Sequence, residues 1–222
     1  MRQATTGTTG TARTARERLA ELVPQPPVEV ISTSVLRTRR FQLRPLCESD
    51  RNEFIRVIRL SRAHLDRFSA LHLPEETDEQ LFERQLGLTQ RGEASGLSRR
   101  RVAVDSSGRI VGSFNLNSIT RGLTWAGDLN WWVSVDSLRR GFATECVGAI
   151  VMHALRDLPH GLGLHEVHAF VQRENGWSIR IAVSRLTPNR RAASVIGISL
   201  LGSGIEPTLW CLARHTCRAC VT

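Results

Sequence analysis

Three features of the sequence predict an α/β domain in which helices cover a mixed sheet. Short runs with a period of two occur near Leu36 to Pro45, Val102 to Val104, Ile110 to Leu116, Asp128 to Val133 and Glu166 to Val171. Between them lie segments whose apolar residues recur three and four apart, the spacing of a helix that buries one stripe. The resulting order is strand, two helices, hairpin, strand, helix, strand, helix, and such alternation needs a sheet for the helices to cover.

Each element has its own signal. In the first strand Phe41 and Leu43 alternate with polar neighbours over Leu36 to Pro45. Asp50-x-x-Glu53 starts the first helix, whose apolar side is Phe54, Val57, Ile58 and Leu65, and Thr77-x-x-Gln80 repeats the capping pattern ahead of Leu81, Phe82, Gln85 and Leu86. Asp105-Ser106-Ser107-Gly108 turns the hairpin between Val102 to Val104 and Ile110 to Leu116. The run Trp131-Trp132-Val133 marks the next strand as buried on one face with a ligand edge. Ala143, Cys146, Val147, Ile150, Val151, Ala154 and Leu155 then give a helix stopped by Pro159 and Gly161. Val167, Ala169 and Val171 form a strand face, Asn175 to Ile181 opens another helix, and Val195 to Leu201 and Thr208 to Ala213 read as late strands.

The chain of 222 residues supports one sizeable core. Residues 31–213 are expected to form a single domain, with a flexible arm at 1–30, rich in Thr, Gly and Pro, and a tail at 214–222. No apolar run reaches the roughly 18 residues of a membrane span and no secretion signal opens the chain, so the expected location is the cytoplasm without a membrane partner. The formal charge of +9 reads as an arginine-rich solvated surface or as a face for an anionic cofactor. Nucleic acid is disfavoured because the aromatics follow strand and core patterns rather than a basic-aromatic platform. Five scattered cysteines do not make a disulfide framework; Cys211-x3-His215-x-Cys217-x2-Cys220 has ligand chemistry for zinc, but no metal is expected.

The loop Arg139-Arg140-Gly141-Phe142-Ala143-Thr144-Glu145 lies between the Trp-rich strand and the long helix. Gly141 lets the backbone turn and approach a ligand, and the first amides of the helix need acceptors that phosphate oxygens can supply. A basic turn ahead of an ordinary helix is the competing reading. The loop has neither the lysine and hydroxyl of a Walker motif nor the glycines of a dinucleotide fingerprint.

The stretch Asp128 to Glu145 resembles the acetyl-coenzyme A binding core of the GNAT superfamily of N-acetyltransferases, particularly the ribosomal-protein alanine N-acetyltransferase branch. Gly141 and Ala143 match the last two fixed positions of that family's Arg/Gln-x-x-Gly-x-Gly/Ala loop, while Leu138 replaces the Arg or Gln. Leu43-Arg44-Pro45-Leu46, Ile110-Val111-Gly112, Leu164-His165-Glu166-Val167 and Asn175-x-x-Ser178 are similar to further motifs of the branch. Together they span about residues 35 to 186.

The resemblance implies a central mixed, mostly antiparallel sheet flanked by helices, and an enzyme that moves the acetyl group of acetyl-CoA directly to a primary amine. It implies that Arg139 and Arg140 flank the pyrophosphate and that amides from Arg140 through Gly141, Phe142 and Ala143 to Thr144 receive it. Backbone donors at Trp132, Val133 and Ser134 would face the acetyl carbonyl. Asn175 would complete the cofactor site, Ser178 would protonate the leaving thiolate, and Asp128 would accept the amine proton. Helix capping competes for Asn175 and Ser178, a solvent-edge acid for Asp128, and His165 and His168 rank below it. The acceptor is a peptide or protein α-amine, with a small-molecule amine or a noncatalytic acetyl-CoA binder as alternatives; a homodimer is compatible with any of these. The positive balance disfavours a strongly cationic acceptor unless Glu75, Glu76, Asp78 or Glu79 lines its route. After Ser178 the chain departs from the family, with no Gly-Phe following Leu186.

Overall fold

The computed structural model describes residues 35–69, 71–185, 195–201 and 208–211. The expected arm and tail, and the terminal His215, Cys217 and Cys220, lie outside these residues.

Among the described residues eight strands form one sheet in chain order: β1 (Leu36–Arg37), β2 (Gln42–Arg44), β3 (Arg99–Val104), β4 (Ile110–Thr120), β5 (Ala126–Val133), β6 (Glu166–Gln172), β7 (Val195–Leu201) and β8 (Thr208–Cys211). β1 to β5 pair antiparallel, β6 lies parallel to both β5 and β7, and β8 returns antiparallel. The sheet is therefore mixed and mostly antiparallel, as expected. The first strand is not continuous. The Thr38 hydroxyl oxygen accepts the N–H groups of Arg40 at 3.3 Å and Phe41 at 3.0 Å, and this local turn breaks the run into β1 and β2.

Helices α1 (Arg51–Leu65) and α2 (Asp78–Ser95) cover one face, and α3 (Phe142–Leu155) and α4 (Gly176–Arg185) cover the other. The Thr77 box forms as read: its side chain accepts from Gln80 N–H at 3.2 Å, and Gln80 Oε1 accepts from Thr77 N–H at 2.9 Å. Asp50 does not cap α1. Its carboxylate instead takes two bonds from Arg44, each 2.7 Å, and the Cys47 N–H at 3.0 Å, a charge-assisted fork that a single cap bond does not match.

Strand alternation divides the interior. Leu129 and Val133 of β5 pack with α3, while Trp132 between them packs with α1 and meets the Phe54 ring edge-on at 6.1 Å. Phe114 on one face and Phe82 on the other are fully buried. Truncating either to alanine would cost about 3 to 5 kcal/mol by transfer and cavity effects. Among the described residues no helix is long and apolar enough to cross a membrane, and no group of three or more His, Cys, Asp and Glu could hold a metal ion.

Candidate active site

The parallel ladder between β5 and β6 stops early. It runs from Ala126 opposite Glu166 to Leu129 opposite Ala169, yet β5 continues to Val133 and β6 to Gln172. The two strands thus part, and among the described residues the edge of β5 beyond Leu129 has no strand partner on that side. The antiparallel alternation with β4 decides which amides face the gap. Ser134 N–H bonds Val111 O at 2.9 Å, so Ser134, Trp132 and Asn130 spend their backbone groups on β4. The N–H groups of Trp131 and Val133 point the other way. Of the three donors expected from Trp132 to Ser134, geometry leaves Val133; the Trp132 side chain belongs to the core against Phe54.

A groove of about 600 Å³ opens at this gap, within the size range of small-molecule sites. It is lined by Trp131 to Val133, by Leu138, Arg139 and Gly141 to Thr144, and by Asn175, Trp177 and Ser178. The end of β5, the basic loop and the start of α4, far apart in sequence, therefore share one cavity. Gly141 is the N-cap of α3 at φ 73°, in the left-handed region, and among the described residues no side chain caps this helix. The amides of Phe142, Ala143 and Thr144 are left as donors at the positive end of the α3 dipole.

The two loop arginines part company. Arg139, itself at φ 58°, lines the groove. Arg140 lines a separate cavity, with its guanidinium over the Phe142 ring at 5.4 Å from the centroid. Sequence reading missed what holds the loop. Arg40 donates to Glu145 of α3 through its backbone N–H at 3.0 Å and Nε at 2.7 Å, and its Nη1 reaches Arg140 O at 3.1 Å. Burial alone would raise the Glu145 carboxyl, but hydrogen bonds from Thr38 and Arg40 outweigh it and keep the group below its ordinary value. Ser61 was also missed: fully buried on α1, its hydroxyl accepts the Val135 N–H at 3.1 Å and sits 3.4 Å from Ser134 Oγ. These contacts join residues 73 to 105 positions apart, and no local spacing announces them.

Asn175 accepts the Ser178 N–H at 3.2 Å, so it caps α4 while also lining the groove. The Ser178 hydroxyl, half-buried in the same groove, makes no hydrogen bond among the described residues. It is free to act on a ligand. Asp128 is not brought to the groove. It stands where β5 and β6 still pair, with its carboxylate 3.7 Å from His168 Nδ1, and His168 Nε2 is 3.2 Å from Glu166. His165 stacks on Trp125, away from the gap. Cys146 lies one turn into α3, but burial, followed by the Glu145 charge, pushes its thiol up to about 12, so it offers no thiolate nucleophile.

A second groove of about 430 Å³ adjoins the first and shares Trp131, Trp132, Asn175 and Ser178 with it. Its floor is the α1 and α2 face of the sheet, and Phe68, Ser69 and Leu71 form one wall.

Residues 40–184, more than half of the chain, match the acetyltransferase (GNAT) domain family. Comparison with curated protein sequences gives no match. Among solved structures, the chain is similar to Mycobacterium smegmatis RimJ in complex with CoA-disulfide, at 18% identity and TM-score 0.60, covering 72% of this chain and 76% of that one. It is also similar to the ribosomal-protein-S5-alanine acetyltransferase of Vibrio fischeri, at 20% identity and TM-score 0.55 over 67% and 79% of the two chains. A spermidine N-acetyltransferase from Vibrio cholerae in complex with CoA and spermine gives 18% and 0.51 over 65% and 79%. At such identities these likenesses speak to the fold.

Proposed function

The chain belongs to the GNAT acetyltransferase family, and from that premise we propose that it transfers an acetyl group from acetyl-CoA to the α-amine of a peptide or protein. The observation that carries this reading is the uncapped N-terminus of α3 opening into the gap beyond Leu129 and Ala169. Peptide acceptors are favoured over polyamines because three of the four acids that could receive a polycation are spent on arginines, Glu76 on Arg84 and Asp78 and Glu79 on Arg59, and among the described residues no Asp or Glu lines either groove. The motifs at Leu43 to Leu46 and Asn175 to Ser178 add likeness to the ribosomal-protein branch.

Acetyl-CoA, when bound, supplies an activated acetyl carbonyl that an amine attacks, the carbon–nitrogen bond forming as the carbon–sulfur bond breaks. In this reading the amides of Phe142, Ala143 and Thr144 hold the pyrophosphate and Arg139 adds charge at its side. Val133 N–H, pre-aimed into the gap, stabilises negative charge growing on the carbonyl oxygen. Ser178 Oγ donates a proton to the departing sulfur and regains one from water. The amine proton leaves through water towards Asp128, His168 and Glu166. Asp128 is two residues before Asn130 on the same sheet face, about 7 Å from the groove floor. Arg40 and Ser61 position the loop rather than touch the reacting atoms.

Thiol release from acetyl-CoA, measured across N-terminal peptides and small amines with product masses recorded, tests the proposal. Acetylation of a peptide α-amine is expected. Ser178→Ala should lower kcat by about 10²-fold with little change in acetyl-CoA affinity, the scale of lost general acid catalysis. Transfer only to small amines, or no transfer despite tight binding, would refute the peptide reading, and an unchanged rate would remove Ser178 from the acid role.

A further inference from the structure

We infer that the acceptor groove selects an amine accompanied by a carboxylate, an acid within the first residues of the peptide, which Arg100 receives. The inference rests on the acetyltransferase reading above and names the acceptor class for its second groove.

Arg100 lies on β3 opposite Asn115 of β4, which lies opposite Asn130 of β5. The three form a row across the floor of the second groove, and Arg84 and Gln85 of α2 stand at its side. The partners of Arg100 are neutral. Its Nη1 donates to Asn117 Oδ1 at 2.8 Å and its Nη2 to Gln85 Oε1 at 2.6 Å. Such amide acceptors orient the planar fork without cancelling its charge.

Its neighbours differ. Arg101 pairs with Glu93 at 2.6 Å, Arg84 forks onto Glu76 at 2.6 and 2.7 Å, and Arg44 forks onto Asp50. Among the described residues Arg100 has no such carboxylate, and no Asp or Glu lines the second groove. Burial, then the nearby charge of Arg84, pushes the Arg100 guanidinium below its ordinary value. A half-buried cation held in place by neutral groups, beside a second arginine already satisfied, is an incomplete ion pair. An incoming carboxylate completes it through charge-assisted bonds, whereas an ammonium there would be repelled.

The spacing fits a short peptide. β3 lies two strands from β5, about 10 Å, which matches about three extended residues measured from an α-amine placed near Trp131 and Ser178. The first residues of an acceptor can therefore bridge from the reacting end to Arg100.

Calorimetric binding of matched peptides to the CoA-bound protein tests this without requiring turnover. Peptides with Asp or Glu at positions one to three should bind at least about tenfold more tightly than their Asn or Gln counterparts, the scale of one charge-assisted contact. Arg100→Gln should collapse that ratio to within about twofold, and Arg100→Lys, which keeps the charge and guards against a folding artefact, should retain a preference for the acid. Free aspartate in a parallel titration separates a small acceptor from a peptide, with weaker binding than the acidic peptide expected. Equal binding of acidic and neutral peptides, tighter binding of Lys-bearing ones, or an unchanged ratio in Arg100→Gln would overturn the inference. Discriminated binding without acetylation would instead refute the transfer reading and leave the carboxylate site standing.

Discussion

Gly141 holds φ at 73° at the N-cap of α3, a conformation that costs other residues about 1 kcal/mol or more. A Cβ there would meet only Arg40 Nη2, at an ordinary 3.7 Å, so the constraint on this position is its left-handed backbone. Gly141→Val should therefore weaken acetyl-CoA binding at least about tenfold and lower unfolding stability by about 1 kcal/mol, checked by titration and denaturant melts; full affinity would contradict the cradle. At this scale the sequence was informative wherever function rests on local backbone. The turn at Gly141 ahead of α3 was legible in the residues, and the Asn175 cap stood among the alternatives, while the role of the amides came from the family resemblance. Val133 could not be separated from Trp132 and Ser134, because the choice depends on which pairs of the β4 and β5 ladder are bonded. Arg100 carried no signal at all, since its meaning is the absence of an acid from strands and helices that meet only in the fold.

Among the elements, the connection into α2 is fixed by Arg84, which donates to Leu71 O at 2.7 Å and forks onto Glu76. Hydrogen bonds from Arg84 hold the Glu76 carboxyl at about 2 against the opposing effect of burial, down from an ordinary 4.5. Because the folded value lies below the unfolded one, this stabilisation is complete above about pH 5 and is lost as pH falls towards 2. Glu76→Gln should cost about 2 to 3 kcal/mol at pH 7 and roughly half that or less at pH 3, read from denaturant unfolding at both pH values. A penalty independent of pH would contradict the pairing. Helices and strands with strong periodicity were legible, including α3, β5 and β6. The first strand was not, because the turn at Thr38 rests on a side-chain hydroxyl bonding its own neighbours, which a two-residue period does not reveal.

Across the whole molecule, the sheet gives the two grooves one shared seam at Trp131, Trp132, Asn175 and Ser178. In the proposed reading donor chemistry falls on the α3 side and acceptor recognition on the α1 and α2 side. The sequence contains 30 basic residues of the Lys and Arg class, and every one is arginine, so the chain offers no lysine ε-amine of its own as a competing acceptor. Mass gain should appear on the added peptide and not on internal side chains. The groove beside α3 is proposed to hold the acetyl donor, and calorimetric titration of acetyl-CoA into the protein and its Arg139→Glu variant decides whether it does. One-site binding weakened at least about tenfold by the charge reversal is predicted; an equal affinity in both proteins, or no binding by the wild type, would contradict it.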